Sequence, residues 1–105
     1  MSEKKVYLLL KVSIDRRQLA EFNEYWARES LPYWLERGAK HVGSFVNYVG
    51  EHTNEILRIF EFDGVPHWEQ FEESLRESER GRNLLKGLSR FNYTLKRNLL
   101  RAIYE

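Results

Sequence analysis

The stretch Lys5-Val6-Tyr7-Leu8-Leu9-Leu10-Lys11-Val12-Ser13 decides the fold of this chain, because it predicts a strand with apolar side chains on both faces. Successive side chains of a strand point to opposite sides, so the even-numbered residues from Val6 to Val12 share one face. Tyr7 and Leu9 lie on the other face and are also apolar. A sheet built around this strand therefore needs apolar material on both sides.

A long helix is predicted after this strand. Asp15 has the character of an N-cap, and Gln18 three residues later completes a capping-box pattern. Gly38 supplies the left-handed residue that ends the helix. Pro32 removes one backbone donor, so we expect the helix to kink or divide near Arg28–Leu31. The apolar stripe with helical spacing consists of Leu19, Phe22, Trp26 and Tyr33.

A hairpin and a second helical region are predicted next. The strands His41–Val49 and Glu55–Phe62 are joined by Gly50–Asn54, whose Gly and Asn favour a hairpin connection. The second helix begins at or near Pro66, and we expect an interruption at Gly81. Its apolar stripe consists of Trp68, Phe71 and Leu75.

The last predicted element is a strand over Asn92–Tyr104, with a bulge around Lys96–Asn98 where the apolar phase slips. The order β-α-β-β-α-β predicts an α+β, ferredoxin-like domain with a four-stranded antiparallel sheet, and we expect residues 1–105 to form a single domain. Two helices can cover only one face of this sheet. Face-to-face pairing of two sheets would cover the other, so we predict a homodimer.

The composition excludes several classes of protein. The 105 residues include no cysteine, which rules out a disulfide framework, a thiolate metal site and a cysteine nucleophile. A formal net charge of +1 argues against nucleic acid as the partner. The charged fraction of 31% argues against a membrane span, and no signal peptide is recognised. We therefore expect a soluble, cytoplasmic domain.

The run Leu31-Pro32-Tyr33-Trp34-Leu35-Glu36-Arg37-Gly38-Ala39-Lys40-His41-Val42-Gly43 resembles the NIPSNAP family of the dimeric α/β-barrel superfamily. The similarity continues through Gly50 and Asn54-Glu55, and Asn98–Arg101 echoes it near the C-terminus. The resemblance implies two ferredoxin-like protomers whose sheets close a barrel. Relatives in the wider superfamily include cofactor-independent monooxygenases, polyketide cyclases and haem proteins.

Two histidines are candidate catalytic acids or bases. His41 stands at the start of the second strand, where it could reach the mouth of a cleft or simply be a polar edge residue. His67 lies in the first turn of the second helix, where the macrodipole favours a neutral imidazole; the simpler interpretation is an exposed first-turn residue beside Trp68. His52 in the hairpin connection is interpreted as a solvated turn residue. No convergent ligand set predicts a metal site.

Four further residues are candidates for ligand binding. Tyr25 and Trp34 fall outside the core stripe of their helix, and with His41 and Trp68 they could line a pocket for a flat apolar molecule. The alternative is that they pack against the dimer mate or the C-terminal segment. Arg58 could hold an anionic ligand, or it could form an ion pair inside the barrel.

The predicted function is small-molecule binding, with a cofactor-independent oxygenase, isomerase or cyclase acting on a flat or acyl-type substrate as the expected enzyme class. The alternative is a non-catalytic dimerisation or assembly domain. No cofactor is predicted. The enzyme hypothesis requires a pocket of a few hundred Å³ that contains a His together with a Tyr or Arg.

Overall fold

The computed structural model describes residues 4–50 and 55–104, which form a four-stranded antiparallel sheet with helices on one face. The strand order β2-β3-β1-β4 confirms the predicted α+β, ferredoxin-like fold. No helix in the described part of the chain is long and apolar enough to cross a membrane. In chain order the elements are β1 (Val6–Ile14), α1 (Leu19–Tyr25), α2 (Leu31–Glu36), β2 (Lys40–Val46), β3 (Glu55–Phe62), α3 (Val65–Glu77), α4 (Glu79–Leu88) and β4 (Tyr93–Leu100).

The two faces of β1 separate as its alternation predicts. The face that begins with Val6 is buried beneath the helices, whereas Tyr7 and Leu9 lie on the opposite face and are only partly covered. In β3, Leu57 and Ile59 share that second face, since they pair with Lys11 and Leu9. The sheet therefore has one face packed on helices and one open face, on which these apolar side chains form a patch beside Lys11.

The predicted bulge in β4 is wrong. β4 pairs with β1 in unbroken register from Tyr7–Leu100 to Ile14–Tyr93. The apolar residues of β4 do not keep a strict alternation, because residues on both faces of this edge strand are exposed. The irregularity of the sheet lies instead in β2, between His41 and Gly43.

The segment from α1 to α2 is one helical run interrupted by a π-helical turn over Trp26–Ser30. This turn lies where Pro32 was predicted to disturb the helix, because proline lacks the backbone donor and its ring crowds the preceding turn. Asp15 caps the start by accepting a hydrogen bond from the backbone N–H of Arg17. The predicted capping box is wrong, since Gln18 Oε1 accepts from the backbone N–H of Asn92 at 2.9 Å instead.

The break between α3 and α4 falls at Ser78 and not at Gly81, where it was predicted. Ser78 is extended and its hydroxyl accepts a hydrogen bond from the backbone N–H of Gly81, so it caps α4. β2 also ends at Val46, three residues earlier than expected. His52 and most of the predicted hairpin connection lie outside the described residues.

Candidate functional site

An open cleft separates the α1–π-turn segment from strands β2 and β3. Its volume is about 430 Å³, which is in the size range expected for a small-molecule site. It contains one histidine and one arginine, His41 and Arg58. The remaining lining residues are Leu19, Asn23, Trp26, Ala27, Leu31, Ser44, Phe45, Val46 and Ile56.

A bulge in β2 brings His41 and Ser44 to the same side of the sheet. Residues three apart in a regular strand point to opposite faces. Here Val42 has no partner between the pairs formed by His41 and Gly43, so the alternation is shifted by one residue. His41 and Ser44 consequently both face the helices, and His41 Nε2 lies 2.7 Å from Ser44 Oγ.

Arg58 forms the floor of the cleft and is only 4% exposed. Its Nη2 donates to Asn23 Oδ1 at 2.8 Å and its Nη1 donates to Ser44 Oγ at 3.1 Å. The guanidinium carbon lies 3.8 Å from the centroid of the Trp26 ring. No carboxylate of the described residues lies within 4 Å of it, so the interpretation of Arg58 as a member of an ion pair finds no partner there. Burial lowers the pKa of Arg58 to about 10, which still leaves the side chain cationic at neutral pH.

His41 is held in a setting that favours the neutral imidazole. Burial, and secondarily the positive charge of Arg58, lower the pKa of His41 below its ordinary value. The direction of the hydrogen bond between His41 Nε2 and Ser44 Oγ depends on the tautomer of the imidazole, because a hydroxyl that accepts from Arg58 can either donate to the ring or accept a second hydrogen bond from it. In either tautomer the neutral imidazole keeps one ring nitrogen without a proton, and that nitrogen can act as a base.

His67, the other catalytic candidate, lies outside the cleft and both of its ring nitrogens are engaged. Nδ1 accepts a hydrogen bond from the backbone N–H of Asp63 at 3.1 Å, and Nε2 donates to the carbonyl oxygen of Arg37 at 2.8 Å. A Cβ on Gly38, which has a φ of +83°, would lie 3.2 Å from the ring. His67 thus ties the end of α2 to the start of α3.

The structure does not bring the predicted aromatic residues together around His41. Trp34 is buried and stacks on Phe60 with ring centroids 4.2 Å apart. Tyr25 faces α4, where its hydroxyl occupies the space beside Gly87. Trp68 packs against the main core cluster. Of the six candidates, only His41 and Arg58 line the cleft.

Sequence reasoning missed Asn23 and assigned Trp26 only to the core. A signal for Asn23 exists, because it precedes Trp26 by three residues and so shares a face of α1 with it. Ser44 offers no such signal, since its face depends on the bulge. Within residues 4–50 and 55–104, no group of three or more His, Asp and Glu side chains is placed to hold a metal ion.

Solved structures of known proteins share this fold along nearly the whole chain. A NIPSNAP family protein from Agrobacterium tumefaciens matches 99% of this chain and 90% of its own length, with a TM-score of 0.83 and 13% identity. A NIPSNAP domain protein from Burkholderia xenovorans matches 94% of this chain and 96% of its own, with a TM-score of 0.75 and 14% identity. SnoaB, a cofactor-independent oxygenase from Streptomyces nogalater, matches 97% of this chain and 96% of its own length, with a TM-score of 0.70 and 13% identity.

No protein-family model matches the sequence, and no curated protein is significantly similar to it. At these identities the likeness establishes the fold. The NIPSNAP-like fold predicted from residues 31–43 is therefore confirmed.

Proposed function

We propose that the cleft binds a small flat or acyl-type molecule and that the protein converts it without a cofactor, as an oxygenase, isomerase or cyclase. The observation that carries the proposal is the presence, in one cleft, of a neutral imidazole and a buried guanidinium joined through Ser44 Oγ. The fold shared with SnoaB, described as a cofactor-independent oxygenase, supports the oxygenase branch.

The pair His41 and Arg58 suits chemistry at a carbon atom next to a carbonyl group. His41 can remove the acidic proton as general base, and Arg58 can stabilise the negative charge that develops on the carbonyl oxygen. In the oxygenase branch the carbanion reacts with dioxygen. The substrate methylene then becomes a carbonyl that keeps one oxygen atom, and the other oxygen leaves as water. In the isomerase or cyclase branch no oxygen is consumed.

Anthrone, a flat ketone with an acidic methylene group, is a suitable first probe. We expect the full chain to consume oxygen and to form anthraquinone, measured with an oxygen electrode and by absorbance. Replacing His41 with Gln should lower the rate by about 10²–10⁴-fold, because a general base contributes about that much. The wild-type rate should rise with pH through a midpoint below 6.5, since the pKa of His41 is lowered.

The matched control is the same substitution at the other candidate, His67→Gln, which should retain the wild-type rate and pH midpoint. If His67→Gln loses activity while His41→Gln keeps the wild-type rate, the assignment of His41 as the general base is contradicted. Conversion of an enolisable ketone without oxygen uptake would assign the isomerase or cyclase branch. If neither flat ketones nor acyl compounds change the tryptophan fluorescence of a Trp68→Phe variant, in which Trp26 lies in the cleft and Trp34 in the core, the cleft is not a binding site and the proposal fails.

We further propose that two copies pair through the open face of the sheet. That face carries Tyr7 and Leu9 from β1 and Leu57 and Ile59 from β3, and the side chain of Phe45 beside them is 53% exposed. Soluble proteins rarely expose large contiguous apolar patches, and those that do occur mark interaction sites. A two-fold axis would lay the patch against its own copy.

Sedimentation equilibrium tests the dimer directly. We expect a mass of twice the 12.7 kDa protomer at micromolar concentration. Leu9→Lys should shift the mass to that of the protomer, because it places a charge in the centre of the patch. Leu35→Lys, on an exposed site of α2, is the control and should leave the dimer intact. A wild-type protein of protomer mass would contradict the proposal.

A further inference from the structure

Arg58 lies behind the other polar residues of the cleft. It is 4% exposed, whereas Asn23 and Ser44 are exposed and His41 is partly buried. Each terminal nitrogen of its guanidinium already donates to a neutral oxygen, Nη2 to Asn23 Oδ1 and Nη1 to Ser44 Oγ. A ligand in the cleft therefore meets the side chains of Asn23, Ser44 and His41 in front of the guanidinium.

The side-chain amide of Asn23 has one orientation that fits Arg58. A guanidinium has no acceptor, so the atom of Asn23 that faces Nη2 at 2.8 Å is the carbonyl oxygen Oδ1. The nitrogen Nδ2 is therefore directed away from Arg58, and it donates to no other described residue. Because Asn23 is exposed and lines the cleft, the two N–H groups of Nδ2 are available to a ligand there.

The positive charge of Arg58 makes Asn23 a stronger donor. No carboxylate of the described residues lies within 4 Å of the guanidinium, so no ion pair cancels its charge there. Hydrogen bonds in a chain polarise one another, and donation to Oδ1 draws electron density away from Nδ2. A negatively charged oxygen beside Nδ2 would therefore be stabilised both by the N–H group and by the cation behind it.

The same hydrogen-bond network ends at the candidate base. Ser44 Oγ lies 3.1 Å from Arg58 Nη1 and 2.7 Å from His41 Nε2. Asn23 belongs to α1 and His41 belongs to β2, so the donor and the base lie on opposite walls of the cleft. A carbonyl compound between these walls can place its oxygen at Asn23 while the adjacent C–H group faces His41.

We infer that Asn23 Nδ2 is the group that binds the carbonyl oxygen of the substrate, and that Arg58 acts through it as a positioning residue that orients and polarises the amide. The inference rests on the proposed function and adds the direct contact to it. When His41 takes the proton, the electron pair of the C–H bond moves toward the carbonyl oxygen, and the hydrogen bond from Asn23 strengthens as that charge develops. The cleft should therefore prefer a flat oxyanion to a neutral molecule of the same shape.

Two probes test this preference on the full chain without turnover. At mildly alkaline pH, 4-nitrophenol is ionised and mimics a flat enolate, whereas its methyl ether 4-nitroanisole stays neutral. By calorimetry we expect the phenolate to bind with a dissociation constant on the order of 0.1–1 mM, and at least roughly tenfold more tightly than the ether. In NMR spectra the phenolate should move the side-chain N–H signals of Asn23 downfield.

Asn23→Ala separates the two possible donors, because it removes Nδ2 and at the same time uncovers Arg58 Nη2. Phenolate binding should weaken roughly 10- to 100-fold, since a hydrogen bond to a charged group is lost. With anthrone, the same variant should lower kcat by about 10²–10³-fold and leave KM nearly unchanged, because the contact strengthens only in the transition state. Asn83→Ala is the matched control, since Asn83 is exposed on α4 and lies outside the cleft.

Phenolate that binds to Asn23→Ala as tightly as to the wild type, or more tightly, would show that Arg58 is the direct donor and would overturn the inference. Equal binding of the phenolate and the ether to the wild type would overturn it as well. If Asn23→Ala does not fold, the NMR measurement on the wild type decides: a phenolate that moves the N–H signals of Arg58 and not those of Asn23 contradicts the inference.

The kinetic results distinguish this inference from the proposed function. Anthrone turnover that Asn23→Ala does not slow would overturn the role of Asn23 and leave the proposed activity standing. Weaker phenolate binding by Asn23→Ala, together with no turnover of any ketone by the wild type, would support Asn23 as the donor and contradict the proposed activity.

Discussion

Replacement of Trp34 by alanine is expected to lower the free energy of unfolding by about 3–5 kcal/mol. Trp34 is 7% exposed, and its ring packs between Phe60 and Phe71 with centroid distances of 4.2 and 4.3 Å. Alanine would lose these contacts and leave a void that the neighbouring rings can fill only in part. Urea denaturation followed by circular dichroism measures the effect, and a loss of this size is a large part of the stability of a small domain.

The control for Trp34 is the next residue. Leu35 is 49% exposed on the same helix, so Leu35→Ala should change the free energy of unfolding by no more than about 0.5 kcal/mol. The sequence hypothesis that Trp34 lines a ligand pocket predicts the opposite pattern. If Trp34→Ala keeps its stability and loses ligand binding, the core role assigned to Trp34 here is wrong.

Replacement of Gly81 by alanine is expected to cost about 1–3 kcal/mol of stability, although alanine is the better helix former by about 1 kcal/mol. A Cβ at this position would lie 2.5 Å from the carbonyl oxygen of Leu75 and 2.8 Å from its Cα. Both atoms belong to the backbone of α3 and cannot rotate away. The start of α4 must therefore shift and weaken the cap that Ser78 provides. Thermal unfolding measures the loss.

Gly87→Ala in the same helix is the matched control. A Cβ there would meet the hydroxyl of Tyr25 at 1.9 Å, which is the far end of a side chain that can move. We therefore expect Gly87→Ala to lose clearly less stability than Gly81→Ala. Equal losses would show that the close approach of α3 and α4 at Gly81 is not the cause.

The elements of the fold follow from local pattern because periodicity and backbone chemistry act over a few residues. Alternation in β1 predicted both faces of the sheet, and Pro32 predicted the place where the first helical run is interrupted. The local pattern misled where a distant segment competes for a polar side chain. Gln18 was assigned to its own helix, yet it binds the backbone of Asn92. The order of the strands could be predicted because the ferredoxin-like arrangement is common for this succession of elements.

The sequence named two side chains of the candidate site but did not indicate how they meet. A histidine at the edge of β2 and an inward-facing arginine on β3 could both be named from the sequence. Their meeting depends on the bulge at Val42, which turns Ser44 toward the helices and joins His41 to Arg58. The sequence also suggested that Trp34, an aromatic residue outside the core stripe of the first helical run, lines a pocket. In the structure it stacks on Phe60 in the core.

The sequence by itself determined which segments form helices and strands, that the sheet is apolar on both faces, and which residue types are available for chemistry. Only the tertiary structure decided that His41 and Arg58 share one cleft and that His67 is tied to the backbone. The physical reason is the distance along the chain over which each interaction acts. Alternation and helical spacing are set by neighbouring residues, whereas the partner of a polar side chain is set by segments that folding brings from far along the chain.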